Sequence, residues 1–176
     1  MGRDKTALLL EGRTLLSRAQ ELARSLTERV FVVGPRARFG AEAVEDIYSD
    51  RGPLGGIHAA LTASQTELNL VLSVDTPFLA PEFLRFLVEE AKRCGSTVTV
   101  PVAGGRKQTL CAIYRRAFAG FAEEALRAGR NKIDPLFADT TVREISEREI
   151  VELDFDPRMF DNLNTPEDLV RAQSRR

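Results

Sequence analysis

The sequence predicts an α/β fold: a Rossmann-like three-layer sandwich in which a mostly parallel sheet lies between helices, built as one domain over residues 1–176. Three observations carry that expectation. Apolar residues recur at helical spacing in some blocks and form short continuous runs in others. The two kinds of block alternate along the chain, and the runs stop at Gly, Pro or Asp. The helical blocks are about ten to fifteen residues long, enough to return across a sheet between parallel strands.

In chain order, Leu15, Leu16, Ala19, Leu22, Ala23 and Leu26 share a helical face, and Thr14 is placed to cap its start. Val30-Phe31-Val32-Val33 then reads as a buried parallel strand ending at Gly34-Pro35. A weaker strand from Ala43 to Ile47 leads into the loop Tyr48-Ser49-Asp50-Arg51-Gly52-Pro53, followed by a helix from Leu54 to Ser64. Leu68 to Val74 is the strongest strand signal and stops at Asp75-Thr76-Pro77. Pro81 opens a helix with Leu84, Leu87, Val88 and Ala91 inward. Val98-Thr99-Val100 and Leu110 to Tyr114 read as strands with a turn-like Ala103-Gly104-Gly105 between them. A helix covers Ala117 to Arg127, and Phe160 to Leu163 makes a last short strand. Thr165-Pro166-Glu167-Asp168 has the form of a capping box and needs no functional explanation. The interval Asn131 to Glu149 carries no clear period.

Composition excludes several function classes. With 43% hydrophobic residues, 29% charged residues and a formal net charge of -1, nothing favours a nucleic-acid groove or an anionic membrane surface. The Arg175-Arg176 cluster reads as a terminal tail. No apolar run is long enough to span a bilayer, and Met1 to Lys5 lacks a signal-peptide pattern. Cys94 and Cys111 lack metal-ligand spacing and read as reduced thiols, so a soluble cytoplasmic protein is expected. The lone His58 has no partner of its kind, which leaves triads and zinc sites unsupported; it reads as structural or half-exposed.

Ligands of such sheets bind beyond the carboxyl ends of the strands, so the residues placed there are the candidates. Asp75 ends the most apolar strand, where a carboxylate with a free tip suits Mg²⁺, an ion that keeps water and phosphate as its other ligands. By itself it fits a turn-forming aspartate equally well. Gly52-Pro53-Leu54-Gly55-Gly56 feeds a helix N-terminus that could receive a nucleotide through backbone N–H groups, or could be an ordinary junction. Asp46 could take a ribose or base contact, or be solvated. Asn162 and Asn164, two apart on the expected last strand, would share a face and suit an oxygen-rich pocket. Lys5 is a solvated lysine or a point charge for a triphosphate. Arg130 and Lys132 read as a solvated face rather than an anion site.

Together these residues resemble the molybdenum cofactor guanylyltransferase family, within the glycosyltransferase-A-like nucleotidyltransferases. The family pattern runs LAGGxSxRMGxDK, D-x5-GPLxG, DxPF, QPLxAxY and NxNTPEDL. Met1-Gly2-Arg3-Asp4-Lys5 matches the tail of the first element, and Asp46 with Gly52-Pro53-Leu54-Gly55-Gly56 the second. Asp75-Thr76-Pro77-Phe78 matches the third. Gln108-Thr109-Leu110-Cys111-Ala112-Ile113-Tyr114 matches the fourth, with Thr109 in the proline's place, and Asn162 to Leu169 the last. The resemblance runs from the first residue to the terminal helix.

It implies a fold of the nucleotide-diphospho-sugar transferase type and transfer of GMP from GTP to the phosphate of molybdopterin, with release of pyrophosphate. By the resemblance, Lys5 contacts the phosphates, Asp46 and Gly52 to Gly55 (with Pro53 and Leu54) the nucleoside, and Asp75 the Mg²⁺. Asn162 and Asn164 lie toward the metal and the pterin, and Gly34 approaches the base. GTP and molybdopterin are the implied partners, with transient contact to proteins that mature molybdoenzymes. The LAGGxSxR segment, which supplies the family's first, central strand, is absent from this chain. The expectation is therefore a domain truncated at its N-terminus relative to the family, Met1 being the internal methionine of RMG. A cytidylyltransferase or other nucleotidyltransferase of the same fold, and a non-catalytic nucleotide-binding relative, are the rival readings.

Overall fold

The computed structural model describes residues 5–163 and Asp168. After a 3₁₀ turn at Lys5–Ala7, strands β1 (Leu9–Leu10) and β2 (Arg13–Thr14) form a small antiparallel hairpin. Helix α1 (Leu15–Arg24) follows, and the Thr14 hydroxyl accepts from the Ser17 N–H at 3.1 Å, which is the expected cap. The short α2 (Arg36–Phe39) precedes α3 (Gly52–Ala63), which starts two residues before Leu54. Strand β3 (Leu68–Leu72) leads to α4 (Pro81–Cys94), which opens on its proline and ends at Gly95 in the left-handed region, φ 68°. Then come β4 (Val98–Ala103), β5 (Arg106–Lys107), β6 (Cys111–Arg115) and α5 (Phe118–Arg127).

The unreadable interval holds a 3₁₀ turn at Asp134–Asp139, β7 (Val142–Ile145) and the start of α6 (Glu147–Glu152). Helix α6 is closed by a reciprocal capping box between Ser146 and Glu149.

The expected three layers are present, but the sheet is mostly antiparallel. The main sheet runs β3-β6-β4-β5, with β7 on β4. Strands β3 and β4 both pair antiparallel with β6, and β7 pairs parallel with β4. Thus β3, β4 and β7 point the same way, and β6 runs against them between the first two. The cause is the short return after β4. Gly104 and Gly105 take φ 58° and 69°, a turn too tight for a crossover, so the chain comes back antiparallel and inserts. Helix α4 then carries the parallel relation of β3 and β4 over the inserted strand.

Val30 to Val33 is not a buried strand, nor is Ala43 to Ile47. Their pairing is one isolated parallel bridge, Val33 to Val44, and Phe31 is 40% exposed. Among the described residues β3 is paired along one edge only, so no ladder reaches the Val30 run. Phe160 to Leu163 is not a strand either: a 3₁₀ turn, Pro157–Phe160, ends there.

Two apolar clusters line the sheet. On one face Leu54, Ile57 and Leu61 of α3 and Phe118 and Ala122 of α5 pack on Val98, Val100, Ala112 and Tyr114. On the other, Phe83, Leu84 and Leu87 of α4 pack with Cys111, Ile113, Ile145 and Ile150. The predicted inner face of α4 is observed, with Phe83 added to it.

Candidate functional site

A third, small cluster assembles the site. Leu10 from the N-terminal hairpin, Leu15 from the start of α1 and Leu163 from the other end of the chain are buried together, with Leu8 and Val74 against them. Val74 precedes Asp75, and Leu163 follows Asn162. Burying the apolar neighbours therefore turns the polar ones out at a common place. The Leu163 N–H donates to the Asp75 carbonyl at 2.8 Å and locks that alignment.

Both oxygens of the Asp75 carboxylate are engaged. The Ser73 hydroxyl donates to Oδ1 at 2.5 Å, and the Lys5 ammonium meets Oδ2 at 2.8 Å. The Asp75 side chain is 15% exposed and that of Lys5 39%. Asp75 then forms part of the wall of an open cleft of about 540 Å³, together with Ser73, Asp161, Asn162 and the residues from Ala103 to Cys111 other than Gly105. That size suits a small molecule. Asn164 lies outside the described residues. Because no strand forms at Phe160 to Leu163, the same-face argument for the two asparagines does not apply, and Asn162 reaches the cleft through the Leu163–Asp75 bond instead.

The wall offers hard oxygen donors: two carboxylates, Asp75 and Asp161, and the Asn162 carboxamide. Among the described residues no group of three or more His, Cys, Asp or Glu side chains is placed to hold a metal. A zinc-type cage is thus not offered, whereas an ion that keeps water and phosphate ligands fits this donor set.

The second predicted group stands apart from this cleft. Gly52, with φ 62°, and Pro53 are exposed in the first turn of α3, while Leu54 is fully buried. Leu54 can offer a ligand only its backbone. Gly55 packs so closely that a Cβ there would lie 3.1 Å from the Tyr48 carbonyl oxygen, which supplies a packing reason for the glycine. Asp46 lies alongside: its Oδ1 is 3.7 Å from the place a Cβ would take on Gly56. Desolvation there holds its carboxyl above the ordinary value. Neither Asp46 nor the turn lines the Asp75 cleft. At Gly34 the space a side chain would need is filled by the Phe39 ring, 2.6 Å from a Cβ position. His58 is buried and edge-on to Tyr48 at 5.3 Å, in line with the structural reading rather than the half-exposed one.

Sequence reasoning missed Ser73, Asp161 and the part of the β4–β6 return before Gln108 that lines the cleft. Ser73 had a signal, standing two before Asp75 in an otherwise apolar run. Gln108 to Cys111 stood out as part of a family motif, but their place beside Asp75 follows from the reversed direction of β6.

Comparison with known proteins identifies the family and the fold. A family model described as the MobA-like NTP transferase domain matches residues 1–143. A "Probable molybdenum cofactor guanylyltransferase" of Pelotomaculum thermopropionicum is 32% identical over 177 residues, covering 98% of this chain and 85% of the relative. Among solved structures, molybdopterin-guanine dinucleotide biosynthesis protein A from Archaeoglobus fulgidus superposes with a TM-score of 0.83 at 28% identity, over 98% of this chain and 90% of that one. The 2-C-methyl-D-erythritol 4-phosphate cytidylyltransferase of Thermus thermophilus shares the fold, with a TM-score of 0.72 at 22% identity, over 97% and 92% of the two chains.

Proposed function

The chain belongs to the MobA-like NTP transferase domain family, and on that premise we propose that it transfers GMP from GTP to the phosphate of molybdopterin, releasing pyrophosphate. The observation that carries this reading is the Lys5–Asp75 pair, 2.8 Å apart, at the edge of a cleft of small-molecule size. An acid and a base joined at the end of a strand offer one group for a cation and one for phosphate oxygens. The coincidence of these residues with the family motif supports that division of roles.

In the reaction an oxygen of the acceptor phosphate forms a new bond to the α-phosphorus of GTP. The bond from that phosphorus to the bridging oxygen breaks, and its electron pair leaves on pyrophosphate. The attacking oxygen is already anionic at neutral pH, so no general base is required. What remains for the protein is to align two anions and to neutralise charge.

Asp75, with Asp161 and Asn162 on the same wall, would hold Mg²⁺, which when bound supplies positive charge to the phosphates. Lys5 supplies a second positive charge, and its bond to Asp75 keeps both groups in place before ligands arrive. Asp46 and the Gly52 to Gly55 turn take the nucleoside through carboxylate and backbone N–H contacts. Asn162 faces the acceptor, and Asn164 is assigned to the same side. The whole of residues 1–176 works as one nucleotidyltransferase domain on this reading. Among the described residues no helix is long and apolar enough to cross a membrane, and both cysteines are free, which supports a cytoplasmic place of work.

The test is turnover with purified molybdopterin and Mg²⁺, comparing GTP with CTP and reading pyrophosphate and the dinucleotide product. Product from GTP in clear excess over CTP is expected. CTP preference would replace guanylyl by cytidylyl transfer, and absence of product from either nucleotide would remove the proposal.

A further inference from the structure

The motif from Gln108 to Tyr114 has been given no role so far, and the structure shows what it holds. The Gln108 N–H donates to the Pro101 carbonyl at 2.8 Å, and its side-chain amide donates to the Ala103 carbonyl at 3.1 Å. The Tyr114 hydroxyl, buried under the sheet, donates to the Thr109 carbonyl at 2.8 Å. The Ser73 N–H donates to the Leu110 carbonyl at 2.7 Å, so the same loop is tied to the segment that carries Asp75. From outside, the Gly104 N–H donates to Glu147 at 2.6 Å. A return of so few residues fastened at so many points presents its side chains in fixed directions.

The pleat separates the two cations of this return. Residues directly across a ladder share a face. Arg106 is opposite Ala103, and Lys107 is opposite Val102. Ala103 is part of the cluster on the α4 face and lines the cleft. Lys107 belongs to the other face, where its ammonium pairs with Glu144 at 2.8 Å. Both cations are in the cleft wall, but the Lys107 ammonium is taken up by Glu144, which leaves Arg106 as the cation of this wall for a ligand. Arg106 is exposed, and among the described residues no carboxylate pairs with it. Its neighbours differ: Arg143 is held by Glu90 and Glu149, and Arg158 by Asp156.

The lining also separates the two substrates. Asp75 and Asn162 are in the wall, but Lys5, Asp46 and the α3 turn are not. The groups assigned to the nucleotide are thus outside the cleft wall, which leaves the cleft for the acceptor.

We infer that Arg106 binds the phosphate of the acceptor, a phosphomonoester, and so decides which acceptors are used. The guanidinium fork matches two phosphate oxygens, and its attachment to a braced hairpin sets the distance of that phosphate from Asp75. This assignment rests on the acceptor half of the proposed function.

The experiment compares wild type, Arg106→Ala and Arg106→Lys, measuring KM for molybdopterin and for GTP separately, with Tm as the check on folding. Arg106→Ala should raise the molybdopterin KM about tenfold or more, the effect of losing a charge-assisted bond, while the GTP KM stays unchanged. Arg106→Lys should recover part of the loss, since it keeps the charge without the fork. A rise in the GTP KM instead, or no change in either, would overturn the assignment. Should wild type bind molybdopterin without transferring GMP to it, the proposed reaction fails on its own. Arg106 is then judged by molybdopterin binding followed by fluorescence: weaker binding by Arg106→Ala at unchanged Tm upholds it, and equal binding overturns it.

Discussion

Two regions of the molecule are built differently. In the cleft wall, the return between β4 and β6 is fastened by Gln108, Tyr114, Ser73 and Glu147, and it leans on a fully buried stretch of sheet. The chain from Val30 to Arg51, by contrast, has one isolated bridge, between Val33 and Val44, as its β pairing, and Phe31 and Ile47 are left 40% and 58% exposed. The runs Val30 to Val33 and Cys111 to Tyr114 are similarly apolar, yet only the second is a strand with neighbours on both edges. Hydrophobicity recruits a segment to a sheet, but partners for its N–H and C=O groups make it a strand. On the proposed assignment, the acceptor would meet a wall already braced by hydrogen bonds.

Asp75 is part of that wall and would hold Mg²⁺ on the proposed assignment, so its removal should give the largest effect. Asp75→Ala should lower kcat by about a thousandfold or more while leaving the fold in place, because the residue stabilises charge rather than the core. Near-normal turnover, measured as pyrophosphate release, would take Asp75 out of the mechanism. The next largest effect separates the two regions by stability. Leu87→Ala, at a side chain with no exposure, should cost about 2–5 kcal/mol, whereas Phe31→Ser should cost about 1 kcal/mol or less. Urea unfolding checks both, and equal losses would mean that the Val30 run is as firmly built as the sheet.

The smallest effect concerns the support behind the cleft wall. Arg143 and the Ser146 N–H hold the Glu149 carboxyl far below its usual 4.5, at about 2. A depressed folded-state value means stability that is complete above pH 4.5 and is lost as pH falls toward 2. Glu149→Gln should therefore lower stability modestly at neutral pH and flatten its decline across that acid window, as read by Tm against pH. An unchanged slope would show that the Arg143 contact contributes nothing there.

Local signals were legible wherever local physics decides. Thr14 caps α1, Pro81 opens α4 and the inner face of α4 is the one its period predicts. The segment Asn131 to Glu149 was opaque because its pieces are short: a 3₁₀ turn, a four-residue strand and a helix start, none long enough to show a period. At the site, Asp75 and Asn162 stood out from their strand-end and motif positions, and the structure brings both to one cleft wall. Asp161 and Arg106 did not stand out, since nothing in their immediate sequence says what they face.

By itself the sequence determined the α/β class, most of the helices, the family motif and the acid at position 75. These depend on side-chain period, on caps and on residue order, all of which are properties of a linear string. Only the tertiary structure decided that β6 runs backward between β3 and β4, that the Val30 run has no ladder, and that Lys107 is paired with Glu144 while Arg106 is not. Strand direction and the side to which a residue points depend on which distant segment supplies the hydrogen bonds. That choice is made by long-range burial and pairing, which no local spacing encodes.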